Sequence, residues 1–165
     1  LSIATMARNP LRASAIVSTM PAASAVGVVV RIDTVVLVRA LIQPGGKPGQ
    51  LVYKWRDSFE WIVSPEISAE YLGVTSRPRL VRRFSTLRSR TIVADILPHA
   101  TSVTPASIPA VCRDPHDDMF LAAALAGDVN YIVSEDLDLL SLREYEGIVI
   151  CNSQAMINIL GAAAS

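Results

Sequence analysis

Four carboxylates, Asp33, Glu70, Asp118 and Asp136, each stand where a hydrophobic strand ends or a helix begins, too far apart in the chain to form one local motif. Carboxylate oxygens are hard ligands, and an oxygen-only set favours Mg²⁺ or Mn²⁺ over zinc. Two such charges about 4 Å apart repel by roughly 4 kcal/mol even at an effective dielectric of 20, so four that converge require divalent cations or raised pKa values. Asp33 is the most telling of them. It directly follows the strand-forming run Val28, Val29, Val30 and Ile32, interrupted by Arg31, and a lone carboxylate at the edge of a buried strand is costly without a counter-charge.

Acids so far apart meet only if the fold assembles them, so the surrounding elements matter. VGVVVRID is a β-branched run of strand length, followed by the helix-compatible TVVLVRALI. QPGGKPGQ, residues 43 to 50, reads as a turn, LVYKWRDS as a short helix and FEWIVS as the second strand. Ser64-Pro65-Glu66 is a helix start, with Ser as N-cap, Pro at the first helical position and an acid near the positive end of the dipole. A further helix is expected from about Pro78 to Leu87 and a short strand near residues 100 to 105. Asp114 and Pro115 open the clearest helix, which Gly127 stops; YIVSED, DLDLLSL and GIVIC read as strand, short helix and strand, and Asn152 or Ser153 caps a last helix. Five strands alternating with helices predict an α/β fold, a mostly parallel five-stranded sheet with helices on both faces. In such a sheet the loops at the carboxyl ends of the strands converge on one crevice, where the acids would meet.

At 165 residues, 51% hydrophobic and 18% charged, the chain suits one soluble domain with a substantial core. No apolar stretch approaches the roughly 18 to 20 residues of a spanning helix, so no membrane association is expected. Residues 1 to 25 hold two Arg and no acid, without a clear period. They read as an extension outside the core, with a start nearer Met20 and a targeting peptide as competing readings, and residues 26 to 165 read as the domain. Cys112 and Cys151 have no metal-site spacing and read as reduced core thiols, which fits a cytoplasmic protein. The net charge of zero conceals a split: residues 1 to 94 carry 13 Arg or Lys against 5 acids, and residues 95 to 165 carry 2 against 10. A basic surface beside an acidic pocket suits a polyanion held by its phosphates next to metal ions.

Structural roles compete for several of these residues. Asp114 and Asp117 are placed to satisfy orphan N–H groups of a helix start, Asp136 to cap the helix after it, and Asp138 to be solvated. Asp118 lies past the capping positions. His99 and His116 read as surface residues, and no G-x-S-x-G elbow supports a Ser-His-Asp triad. Arg77, Arg79, Arg82 and Arg83, together with Arg88 and Arg90, form either a solvated face or a phosphate track, with Tyr71 or Trp55 as stacking platforms for a base. Phosphoryl transfer of the haloacid-dehalogenase or receiver type shares the strand-ending Asp but lacks both the D-x-D and a late Lys.

The segments IDTVVLVRALIQPGG, IVSPEISAEYLGVTSRPRL, RDPHDDMFLAAALAG and YIVSEDLDLLSL, in that order, resemble the PIN domain, and specifically its branch of toxins from toxin–antitoxin pairs. The resemblance covers about residues 28 to 160. It implies a Rossmann-like sheet with an acidic groove and a Mg²⁺- or Mn²⁺-dependent endoribonuclease acting on single-stranded RNA. The family's four acids match Asp33, Glu70, Asp118 and Asp136, an additional acid matches Asp138, and a hydroxyl residue near the site matches Ser134. RNA, an antitoxin protein and a second copy of the chain are the implied partners, with Arg77, Arg79, Arg82 and Arg83 as the surface for RNA or antitoxin. Two departures stand out. Val35 replaces the Asn usual in D-T-N, which implies weakened catalysis and, as an alternative, an RNA- or protein-binding module. Glu135 replaces a common Gly, adding negative charge beside the pocket.

Overall fold

The computed structural model describes residues 16–17, 27–84 and 92–165. The five expected strands are present: β2 (Val29–Ile32), β3 (Glu60–Val63), β4 (Thr101–Thr104), β5 (Tyr131–Val133) and β7 (Ile148–Cys151). They pair in parallel in the order β4-β3-β2-β5-β7. The sheet is wider than five strands, because a two-residue antiparallel strand flanks each side: β1 (Ile16–Val17) beside β4 and β6 (Glu144–Tyr145) beside β7. Strands this short leave no periodic signal. β6 arises from a two-residue hairpin in which Glu146 and Gly147 both take positive φ, 50° and 79°, the turn whose twist matches antiparallel strands. Of the segment expected to extend from the core, Ile16–Val17 pair with Val103–Thr104; the remainder lies outside the described residues.

Helices flank the sheet: α1 (Thr34–Ile42), α2 (Lys47–Lys54), α3 (Pro65–Thr75), α4 (Pro78–Val81), α5 (Pro115–Ala126), α6 (Leu137–Leu142) and α7 (Ser153–Ala163). The expected N-caps form, with Ser64, Asp114 and Asn152 accepting from the N–H groups of Ile67, His116 and Ala155. Two expectations are corrected. Residues 47 to 50 begin α2 rather than completing a turn, since Pro48 suits the first helical turn and Gly49 allows the helix to pack directly on the chain at Pro44, where a Cβ would lie 2.2 Å from the carbonyl oxygen. The arginine-rich helix is one turn long within the described residues. A hydrogen bond from the Arg83 N–H to the Leu80 carbonyl (2.8 Å) tightens the chain out of the α-helical ladder, and Arg88 and Arg90 lie outside the described residues. Residues 92–99, for which no helix was expected, form a π turn and then a 3₁₀ turn.

One buried cluster runs along both faces of the sheet, from Val30, Ile32, Ile132 and Ile150 to Leu37, Leu121 and Leu160 on the helices. Both cysteines are free. No helix among the described residues is long and apolar enough to cross a membrane.

Candidate active site

The strand order reverses at β2, whose neighbours β3 and β5 lead to opposite halves of the sheet, and a crevice opens outside the carboxyl ends of strands at such a switch point. Asp33 and Ser134 sit there side by side. The β2–β5 and β5–β7 ladders continue into them, since the Asp33 N–H donates to the Val133 carbonyl (2.8 Å) and the Ser134 N–H to that of Cys151 (3.0 Å). Asp33 is the N-cap residue of α1, yet its side chain makes no capping bond. Its carboxylate instead accepts the Ser134 hydroxyl at 2.6 Å. The same Ser134 oxygen accepts the Asp136 N–H at 2.9 Å, so one fully buried hydroxyl joins the two acids. Asp136 also caps α6, accepting from the Asp138 N–H at 2.7 Å; Asp138 is exposed.

The start of α5 brings up the third side of the crevice, and helix phase decides which acid faces it. The Arg31 guanidinium lies 4.0 Å from the centre of the Phe120 ring, the His116 ring meets Phe120 edge-on at 5.9 Å, and His116 Nε2 is 3.3 Å from Glu70 Oε2. The α5 face carrying His116 and Phe120 therefore points at the site, and Asp117, three residues before Phe120, shares it. Its carboxyl is pushed up to about 6, first by loss of hydration and then by the charges of Asp114, Asp136 and Asp33. Asp118 turns elsewhere. Its Oδ1 accepts the N–H groups of Val111 (3.0 Å) and Cys112 (2.8 Å), which hold its carboxyl below the usual range and anchor the segment leading into α5. Asp117 also lines a cleft of about 470 Å³ with Cys112, Arg113, Asp138 and Ser141.

Glu70, on α3, is tied to the crevice by His116. Beneath the acids lies Arg31, fully buried in β2, with Nη1 donating to the Ile32 carbonyl and Nε and Nη2 without hydrogen-bond partners. Burial lowers its pKa, while Tyr71, Asp33 and Glu70 act in the opposite direction. It is a fixed cation under the acidic crevice. Tyr71 also donates to the Ile32 carbonyl, and loss of hydration pushes its phenol up to about 12. Being fully buried, Tyr71 has no face to offer a base; Trp55 is half-buried against the core. Arg77, Arg79, Arg82 and Arg83 are exposed, and Val35 is 36% exposed on the first turn of α1. The charge of Glu135 is directed away from the acids. It faces Arg39 Nη1 (3.6 Å) and accepts the Ser153 N–H (3.0 Å).

Asp117 thus feels the charges of Asp114, Asp136 and Asp33, and carboxylate oxygens are the ligands that a hard divalent cation takes. Among the described residues no group of three or more His, Cys, Asp or Glu side chains is placed to hold a metal ion. The sequence places Asp117 only as a helix-start acid; its phase relative to Phe120 was the available signal. Arg31 was visible as an interruption of an apolar strand. A family model described as PIN domain matches residues 29–138, from the start of β2 into α6. No curated protein and no solved structure matches the chain.

Proposed function

The chain belongs to the PIN-domain family, a family of nucleases, and from that premise we propose that it is a metal-dependent endoribonuclease acting on single-stranded RNA. The observation that carries this reading is the buried Ser134 hydroxyl that binds the Asp33 carboxylate and the Asp136 backbone at the carboxyl ends of the central strands. Asp33, Asp117 and Asp136 would hold Mg²⁺ or Mn²⁺, with Asp117 in the role expected of Asp118 and Glu70 at the margin. A bound ion of this kind lowers the pKa of water and offsets charge on a phosphodiester.

The chain's own residues set the geometry. Ser134 fixes the orientation of Asp33, Asp118 anchors the approach to α5, and Glu70 lies with its Oε2 3.3 Å from His116 Nε2 on α5. Arg31 limits the net negative charge that the three acids and Glu70 impose on one another. Resemblance to the toxin branch supports a role as the toxin of a toxin–antitoxin pair, with the exposed arginines from Arg77 to Arg83 receiving RNA or an acidic antitoxin segment.

Incubation of the protein with end-labelled single-stranded RNA in Mn²⁺ or Mg²⁺ tests the reading. Cleavage that leaves 5′-phosphate ends and stops in EDTA is expected; cleavage indifferent to EDTA contradicts it. Val35, apolar and exposed where the family usually has Asn, favours a second reading as an RNA- or protein-binding module. No cleavage by the wild type with cleavage gained by Val35→Asn would show that the intact fold has lost its chemistry and would favour that alternative.

A further inference from the structure

A second pocket of about 320 Å³ opens between the end of α1, the start of α2 and the start of α7, and Glu135, the residue between Ser134 and Asp136 in the chain, reaches into it. Glu135 lines it, while its neighbours Ser134 and Asp136 carry the acidic cluster. The linings are opposite in character. Arg39, whose Nη1 lies 3.6 Å from Glu135 Oε2, and Lys47 supply two cations against that one carboxylate, a net charge of one, and Gln43, Asn152 and Gln154 supply amides. These amides are partly committed in complementary ways. Asn152 uses its carbonyl to cap α7 (Ala155 N–H, 2.9 Å), which leaves its NH₂ group. Gln154 donates its NH₂ group to Asn158 (2.9 Å), which leaves its carbonyl. The first turn of α2, capped by Gly46 without a side-chain bond, adds the positive end of a helix dipole.

We propose that this pocket is a nucleotide subsite: it takes the nucleotide next to the scissile phosphate of a single RNA strand, Arg39 and Lys47 holding its phosphate and the amides of Asn152 and Gln154 reading its base edge. The inference rests on the nuclease reading for the identity of the strand. It requires a chain that crosses Glu135 from a metal-neutralised acidic crevice into a cationic pocket, as a phosphodiester backbone does. The volume is near the lower end for small-ligand sites, roughly 300 Å³, which suits one nucleotide rather than a duplex.

The test is fluorescence anisotropy of a short labelled oligoribonucleotide with full-length Asp33→Asn protein, alone and combined with Arg39→Ala/Lys47→Ala. Lys47→Gln alone serves as a milder second variant, and Arg56→Ala, a cation on the amino-terminal side of β3, as the control. The double variant should weaken binding about tenfold and flatten the dependence of log K on log salt by roughly 0.7 per lost cation, with Lys47→Gln showing part of both effects. Arg56→Ala should leave both unchanged. Unchanged affinity and slope in the double variant, or no RNA binding by the Asp33→Asn parent, would overturn the subsite. Wild-type cleavage run alongside separates the two readings. Cleavage with unaltered binding in the variants sinks the subsite alone, whereas cation-dependent binding without wild-type cleavage keeps the subsite and sinks the nuclease.

Discussion

Replacing Ser134 by Ala removes two hydrogen bonds with one atom, and the structure fixes what each is worth. The bond to Asp33 is short (2.6 Å) and its acceptor is a carboxylate; hydrogen bonds to charged groups contribute about 1.5–3 kcal/mol. The second loss leaves the Asp136 N–H, held at 2.9 Å, without its acceptor, and an unsatisfied buried donor costs about 1–3 kcal/mol. Asp136 is only half-buried, so water recovers part of that second term. The expected destabilisation is therefore about 2–4 kcal/mol, which at a urea m-value of roughly 2 kcal/mol/M lowers the midpoint by about 1–2 M. Equilibrium urea unfolding followed by circular dichroism measures it, and a cycle with Asp33→Asn isolates the pair. Coupling of at least about 1 kcal/mol is expected for residues in contact. A loss below about 0.5 kcal/mol, or additivity within about 0.3–0.5 kcal/mol, would refute the bond and with it the joining of the acids through Ser134.

Three further outcomes follow from the same geometry. The Asp117 carboxyl is raised from 3.8 to about 6, so between those values the folded state binds more protons than the unfolded one and wild-type stability falls as pH rises through the window; Asp117→Asn should match wild type below 3.8 and exceed it above about 6 in unfolding midpoint, and equal midpoints at every pH would contradict this. Gly49→Ala, which in an ordinary helix interior would stabilise by about 0.5–1 kcal/mol, should here destabilise by about 1–3 kcal/mol, because its Cβ meets the Pro44 backbone at 2.2 Å; a raised melting temperature would refute the close contact of α2 with the chain at Pro44. Burial pushes the Cys151 thiol up to about 11, so a thiol-disulfide reagent at neutral pH should label it slowly in the native protein and rapidly after denaturation, and fast native labelling would show that it is not shielded.

Much of this arrangement was legible in the residues. Strand-length β-branched runs ending in Asp33 and Asp136 located the central strands, and the Ser64-Pro65 and Asp114-Pro115 pairs located two helix starts, because these signals are local. What depends on tertiary placement was not legible. Whether Asp117 or Asp118 faces the crevice is a matter of 100° of helix phase, fixed by Phe120 packing under Arg31, a partner 89 residues away in the sequence. Tyr71 looked available for stacking until α3 packed it against β2, with its hydroxyl on the Ile32 carbonyl. Glu135 was expected to deepen the acidic pocket; alternation along the segment after β5 turns it to the opposite side from Ser134, toward Arg39. The two-residue edge strands β1 and β6 exist only through their pairing.

The most direct test of the account is cleavage of single-stranded RNA in Mn²⁺ by four proteins side by side: wild type, Asp33→Asn, Asp117→Asn and Asp118→Asn. Wild type should cleave, Asp33→Asn and Asp117→Asn should lose cleavage while remaining folded, and Asp118→Asn, whose amide oxygen can still accept from Val111 and Cys112, should retain it. Full cleavage by Asp117→Asn, with loss in Asp118→Asn, would contradict the site assembled here from Asp33, Asp117 and Asp136.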